Sequence, residues 1–193
     1  MQIMDEQKRI KILDVATKLF ASQPFHKVLL SDVAEAASVG KGTLYTYFKS
    51  KEDLYLSVLY SGFSTLVERL NQRVDQNTYS AIENMEAVIC EIVSFAYQNP
   101  HLYKLMRTIP GKEAIDLTKW DAKRRELKSL IESVIHQGII QGVFIDSHPE
   151  FTARYIPGLI RSVLIDGTEK IEREALKEHI MYFVMAAIKV RES

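Results

Sequence analysis

Residues 37–55 read ASVGKGTLYTYFKSKEDLY, two glycines and a lysine beside a run of tyrosines and further lysines. Gly40-Lys41-Gly42-Thr43 has the look of a phosphate-cradling loop, but the spacing rejects that reading. Such a loop needs a glycine five residues before the Gly-Lys pair, a Ser or Thr after the lysine to hold magnesium, and a preceding strand. Here position 35 is Glu35, Gly42 follows Lys41, and no strand-like run comes before. A helical wheel drawn from Gly40 gives a better account. Leu44 and Phe48 fall together as core anchors, and the opposite arc presents Gly42, Tyr45 and Thr46, flanked by Lys41 and Thr43. With a short apolar helix over about Leu30–Ala37 and a break at Ser38-Val39-Gly40, the pattern predicts a helix-turn-helix. The second helix of such a pair fits a major groove ~12 Å wide.

Each residue type on that arc suits a nucleic-acid surface. Gly42 lets the backbone approach closely, and Tyr45 offers a flat ring for a thymine methyl or sugar together with a hydroxyl. Lys41 and Thr43 can donate to base edges or phosphates. Lys51 stands at the first position of the next helix, whose free N–H groups and dipole make an anion site. Tyrosines and lysines on short exposed helices also occur in proteins that bind no DNA. A helical interaction adaptor and a helical enzyme are therefore carried as alternatives.

The totals bound the rest. In a chain of 193 residues, 25 Lys/Arg balance 25 Asp/Glu, which argues against a uniformly basic molecule. Residues 1–51 hold eight Lys/Arg against five Asp/Glu, so the positive bias sits at the N-terminal end. A single cysteine, Cys90, allows no internal disulfide and fits a reducing cytosol. Charges crowd the first residues, and the longest apolar run, Ile180–Ile188, is too short to span a bilayer, so a cytoplasmic protein without membrane attachment is expected. Strand-like alternation is missing and a 3.6-residue period recurs, which predicts an all-α fold of about nine helices.

The first helix is expected over Asp5–Ser22, with Ile10, Leu13, Ala16 and Phe20 inward and the stripe widened by Ile12 and Leu19. Ser50-Lys51-Glu52-Asp53 signals a capped start for a long fourth helix reaching about Val74, and Ser80-Ala81-Ile82-Glu83 does the same for a fifth. Pro100 is expected to close the fifth helix, and a short sixth covers about Leu102–Ile109. A seventh starts anywhere from Lys112 to Thr118 and ends near Gln137. The eighth follows Ser147-His148-Pro149-Glu150, with a kink expected at Pro157-Gly158, and a ninth runs over about Glu172–Val190. No Pro/Gly/Ser linker divides the chain. The expected division is residues 1–50 as a DNA-binding domain and 51–193 as a helical effector-binding and dimerisation domain.

Residues 29–54, LLSDVAEAASVGKGTLYTYFKSKEDL, resemble the signature of the TetR family of transcriptional regulators. That signature has an I/V-A pair, A-G-V-S, then G-x-(L/I)-Y-x-(Y/H)-F-x-S-K-E-x-L. The likeness continues upstream through ILDVATKLFA, residues 12–21. It implies an N-terminal three-helix DNA-binding domain, a C-terminal helical domain for a small-molecule effector, and a homodimer that represses from a palindromic operator. It further implies that effector binding shifts the sixth helix against the fourth, which acts as a lever. By matching position, Lys41, Gly42, Thr43 and Tyr45 read bases and backbone, Tyr47 and Lys51 contact phosphates, and Ser31 reaches a base. Three departures stand out: Val28-Leu29 replaces a common threonine pair, Ser38 replaces the turn glycine, and Pro24 replaces a glycine after the first helix.

In the C-terminal part, Phe63, Met85, Phe95, Tyr97, Tyr103, Met106, Arg107 and Trp120 are candidates for an apolar or aromatic effector pocket, each with core packing as the alternative. Ile156, Ile160, Val163, Leu164, Ile180, Phe183, Val184 and Ala187 are candidates for a four-helix dimer interface, a monomer with these helices folded inward being the alternative. His26, His101, His136, His148 and His179 show no i,i+3 or i,i+4 pairing, so neither a metal nor another cofactor is expected.

Overall fold

The computed structural model describes residues 2–106, 118–164 and 171–190, the side chains of residues 2–5 excepted. Its described helices are α1 (Gln2–Ser22), α2 (Leu30–Ala36), α3 (Lys41–Tyr47), α4 (Lys51–Arg73), α5 (Ala81–Gln98), α6 (Pro100–Leu105), α7 (Thr118–Ile140), α8 (Pro149–Leu164) and α9 (Arg173–Ile188), with a 3-10 turn at Phe25–Lys27. No helix among the described residues is long and apolar enough to cross a membrane. The expected end of the sixth helix at Ile109 and the residues from Lys112 offered for the start of the seventh lie outside the described residues.

Two compact units form. One holds the chain up to Gly62 together with residues 101–120, and the other holds 63–100 together with 121–193. In the first, α1 turns Ile12, Leu13, Ala16 and Phe20 inward at helical spacing, whereas Ile10, expected in that stripe, is exposed at 50%. The stripe runs through Ile12 because residues four apart, 12, 16 and 20, share a face. α1 packs on α2 and α2 on α3, with Val33, Ala34, Leu44 and Phe48 in the core. Phe20, Phe25 and Tyr55 form a ring cluster with centroids 5.0–5.7 Å apart. The Tyr55 hydroxyl donates to the Leu105 carbonyl at 2.7 Å and so ties α6 into this unit. Burial pushes its pKa to about 12.

In the second unit α5 is buried nearly all round, which makes it the central helix. α8 and α9 pack against it and against each other. Its start carries the expected capping box: the Ser80 side chain accepts from the Glu83 N–H, and the Glu83 carboxylate accepts from the Ser80 N–H. Bonds to that carboxylate from the Ser80 hydroxyl and then from the Ser80 N–H hold the Glu83 pKa below its usual value. α4 opens on a variant of the same device. Ser50 Oγ accepts from the Asp53 N–H at 3.1 Å, and the Asp53 carboxylate takes the N–H of Lys49, one residue upstream of the cap. Pro100 does not merely close α5. It is the first residue of α6, where a missing N–H costs nothing, and Asn99 caps α5.

Two carboxamides and a buried carboxylate shape the second unit in ways the apolar pattern does not show. Asn84 and Gln137 are buried and bonded to each other at 3.0 Å, and between them they bind the carbonyls of Asp75, Gln76 and Tyr79. This network gives the two buried carboxamides their partners and ties the exposed α4–α5 connection to α5 and α7. Glu91, 2% exposed, sits on α5 with its carboxylate 2.9 Å from Arg73 Nε and 3.5 Å from Arg69 on α4.

α7 runs through Gly138 and ends at Ile140, three residues beyond the expected end. The ring of Phe144 lies where a side chain at position 138 would stand. Gly142, at φ +70°, then reverses the chain: Gly142 N–H donates to the Ile139 carbonyl and Val143 N–H to that of Gly138. This is a Schellman end with glycine at its left-handed position.

Candidate nucleic-acid interface

The α2–α3 turn has the same geometry as the end of α7 with a different residue at its centre. Ser38 N–H donates to the Glu35 carbonyl and Val39 N–H to the Ala34 carbonyl, both at 2.9 Å, with Ser38 at φ +56°. Ser38, which stands where the resemblance places a turn glycine, is therefore left-handed, and this costs on the order of 1 kcal/mol. Ser38→Gly should raise stability by about 0.5–1 kcal/mol, read as a shift in the denaturation midpoint without a change in slope. An unchanged or lower midpoint would show that the serine carries no strain.

Gly40 caps α3 with extended backbone, φ −68° and ψ 149°, and its carbonyl accepts from the Leu44 N–H. Leu44 and Phe48 are fully buried and fix the roll of the helix. That roll leaves Lys41, Gly42, Tyr45 and Thr46 exposed, with Thr43 half-buried. Tyr45 stands 56% exposed, and a Cβ built on Gly42 meets nothing within 4 Å. Tyr47 is half-buried, its ring 6.2 Å from that of Phe48. Ser31, on the first turn of α2, donates its hydroxyl hydrogen to Asp32 Oδ1 at 3.2 Å. As expected from Val28-Leu29, α2 has no side-chain cap: its N-cap is Leu29.

Lys51 is placed differently from a free phosphate hand. Its ammonium donates to the carbonyls of Phe25 at 2.9 Å and Val28 at 3.1 Å, and lies 4.5 Å from the Phe25 ring centroid. The physical reason is Pro24. Without a positive-φ glycine after α1, the chain makes a 3-10 turn with Pro24 at φ −56°; the Val28 N–H donates to the Phe25 carbonyl, and the lysine adds a second bond to that carbonyl and one to that of Val28. The sequence held the signal, a proline in a turn position, but the lysine that answers it is 26 residues away from Phe25. Lys51→Ala should cost about 1–2 kcal/mol of stability, measured by denaturant titration. Loss of DNA affinity at unchanged stability would return the residue to a purely phosphate-binding role.

The other candidate residues divide. Of the effector set, Phe63, Met85 and Phe95 are buried and Tyr97 is half-buried in the second unit, and Tyr97 donates to the Ile171 carbonyl at 2.6 Å. Trp120 is buried, and Tyr103 and Met106 half-buried, in the first unit. Arg107 lies outside the described residues. Met85 at 0% and Phe95 at 2% exposure are packed core in this conformation, the alternative left open for them. An open cleft of about 620 Å³ in the second unit is lined by other, mostly polar residues, among them Asn71, Asp75, Glu126 and Ser133.

The interface set needs a correction. Ile156, Ile160, Leu164, Ile180 and Val184 are at most 4% exposed within the chain, so they have almost no surface left for a partner to cover. They face inward because positions 156, 160 and 164 of α8, and 180 and 184 of α9, repeat at the spacing that packs these helices on α5. Val163, Phe183 and Ala187 do face outward, joined by Phe151, Tyr155 and Tyr182. Tyr182 is 74% and Phe183 52% exposed. Sequence periodicity missed the tyrosines because they lie off the apolar stripe.

α2, the Ser38 turn and α3, which is locked by two buried anchors with glycine, lysine and tyrosine facing out, form a helix-turn-helix of the kind that presents its second helix to DNA. Residues 12–58 match the model of bacterial regulatory proteins of the tetR family. Over those residues the chain carries the helix-turn-helix segment of TetR-family transcriptional regulators. It is 28% identical to an uncharacterized HTH-type transcriptional regulator, YhgD of Bacillus subtilis, over 96% of this chain and 98% of that one. It is 26% identical to the HTH-type transcriptional repressor KstR2 of Mycolicibacterium smegmatis, over 71% of this chain and 67% of that one. Among solved structures it is similar to FadR of Bacillus subtilis in complex with stearoyl-CoA, at 21% identity and a TM-score of 0.79, covering 91% of this chain and 97% of that one. The last likeness shows the fold.

Proposed function

We propose that the protein is a repressor that binds a palindromic DNA operator as a homodimer through α3, and that a small, largely apolar effector releases it, with no catalytic step of its own. The observation that carries the reading is the outward face of α3. Lys41, Gly42 and Tyr45 face outward there with no side-chain hydrogen-bond or ion-pair partner among the described residues, whereas Leu44 and Phe48 behind them are fully committed to the core. The mode of repression is supported by the likeness to KstR2, a repressor by name. The outward aromatic face of α8 and α9, with Tyr155, Tyr182 and Phe183, supports a dimer, because a monomer rarely leaves such residues in water. Two-fold symmetry then requires recognition helices ~34–36 Å apart, or a multiple of that.

Fluorescence anisotropy with a duplex from upstream of the protein's own gene, at two salt concentrations, tests the reading. The expected result is two chains per site and an affinity that falls with salt at a log–log slope of about −0.9 for each phosphate neutralised. Dimers with no salt-dependent DNA affinity would leave an interaction adaptor. Stearoyl-CoA, the ligand in the Bacillus subtilis structure, is the first effector to titrate. A coupling of ~1–3 kcal/mol would lower operator affinity roughly 5- to 150-fold.

A further inference from the structure

We infer that Leu29, with Leu30 and the ring of Tyr45, forms an apolar notch that takes the C5-methyl group of an operator thymine, which makes the start of α2 a specificity element beside α3. The inference rests on the DNA-binding reading above. A cleft of about 210 Å³ lies between the two helices, bounded by Leu29, Leu30, Ser31, Lys41, Leu44 and Tyr45. Leu29 and Tyr45 are each 56% exposed and border it together.

Leu29 is hard to explain by folding. It is the N-cap residue of α2, the position where Ser, Thr, Asp or Asn supplies a side-chain acceptor, and it makes no cap bond. Its neighbour Val28 is fully buried, so the apolar demand of this corner is already met, and Leu29 is left facing water. The position thus forgoes a cap and exposes an apolar side chain at once. Ser31 on the same rim turns its hydroxyl hydrogen to Asp32, which leaves the notch without a donor on that side.

The occupant follows from major-groove chemistry. Thymine is the base that presents an apolar group there, whereas the other edges present donors and acceptors. Lys41 at the rim of the notch is exposed and suits the electronegative O6 and N7 of a neighbouring guanine, or a phosphate. The surface is continuous with the exposed face of α3, so a duplex engaged by Lys41 and Tyr45 brings its bases to Leu29.

The test uses the full-length protein and duplexes it enriches from a random library, rebuilt with deoxyuridine in place of each thymine in turn. One thymine per half-site should lose about fourfold in affinity on removal of its methyl, with the others little changed. Leu29→Thr should abolish the difference between thymine and uracil at that position. Because threonine restores a cap, the same variant should melt roughly 2–4 °C higher, so lost discrimination is not lost folding. If no duplex is enriched, the DNA-binding reading itself fails. If duplexes are enriched but tolerate uracil everywhere, or the Leu29→Thr protein discriminates as before, DNA binding stands and the notch is refuted.

Discussion

The double variant Lys41→Ala, Tyr45→Ala is expected to bind operator at least 100-fold more weakly than the parent while melting within about 2 °C of it. Both side chains are exposed, and the described structure gives them no partner on which folding depends. Alanine is also at least as good a helix former as either, so α3 loses nothing in propensity. At the interface the arithmetic is different. Each base or backbone contact is worth ~1–3 kcal/mol, and a dimer loses every contact twice. Four lost contacts at even the low end come to ~4 kcal/mol, and incomplete additivity between neighbours still leaves a change of two orders of magnitude or more. Anisotropy titration beside thermal melting is the measurement. Unchanged affinity would remove α3 from the DNA interface, and a collapse in melting temperature would show that the residues are structural.

The second large effect is on the fold alone. Gly138→Ala should destabilise the protein by ~3 kcal/mol, which for a chain of this size lowers the melting temperature by roughly 6–10 °C. An ideal Cβ at 138 would stand 2.0 Å from Phe144 Cδ2 and 2.5 Å from Cγ, well inside contact distance. The ring cannot simply withdraw. It is 3% exposed, and the backbone around it is pinned: Phe144 N–H donates to the Gly138 carbonyl at 3.0 Å and Ile145 N–H to the Ile188 carbonyl at 2.7 Å. The ~1 kcal/mol that alanine gains in helix propensity offsets only part of the clash. Near-parental melting of Gly138→Ala would mean that the Phe144 ring has another place to go.

Much of this molecule was legible because its signals are local. The Ser80–Glu83 capping box lies within a single turn, and the 3.6-residue period marks nearly every helix before anything is known of its neighbours. α3 was legible for the same reason: Leu44 and Phe48, four apart, set its roll, and the outward arc follows. The family signature marked Ser38 as standing where a turn glycine is usual, and the structure gives it φ +56°.

What the residues along the chain determined, then, was the inventory of helices, the turn between α2 and α3, and the face α3 presents. Tertiary structure decided which side chains are already in use. Lys51 became a staple for the Phe25–Lys27 turn, Ile156 and Val184 went to the core instead of the surface, Leu29 was left in the open, and Glu91 was buried beneath two arginines. The physical reason is range. Periodicity and capping are fixed by residues three or four apart, whereas burial and hydrogen-bond satisfaction depend on what distant segments bring to the same place.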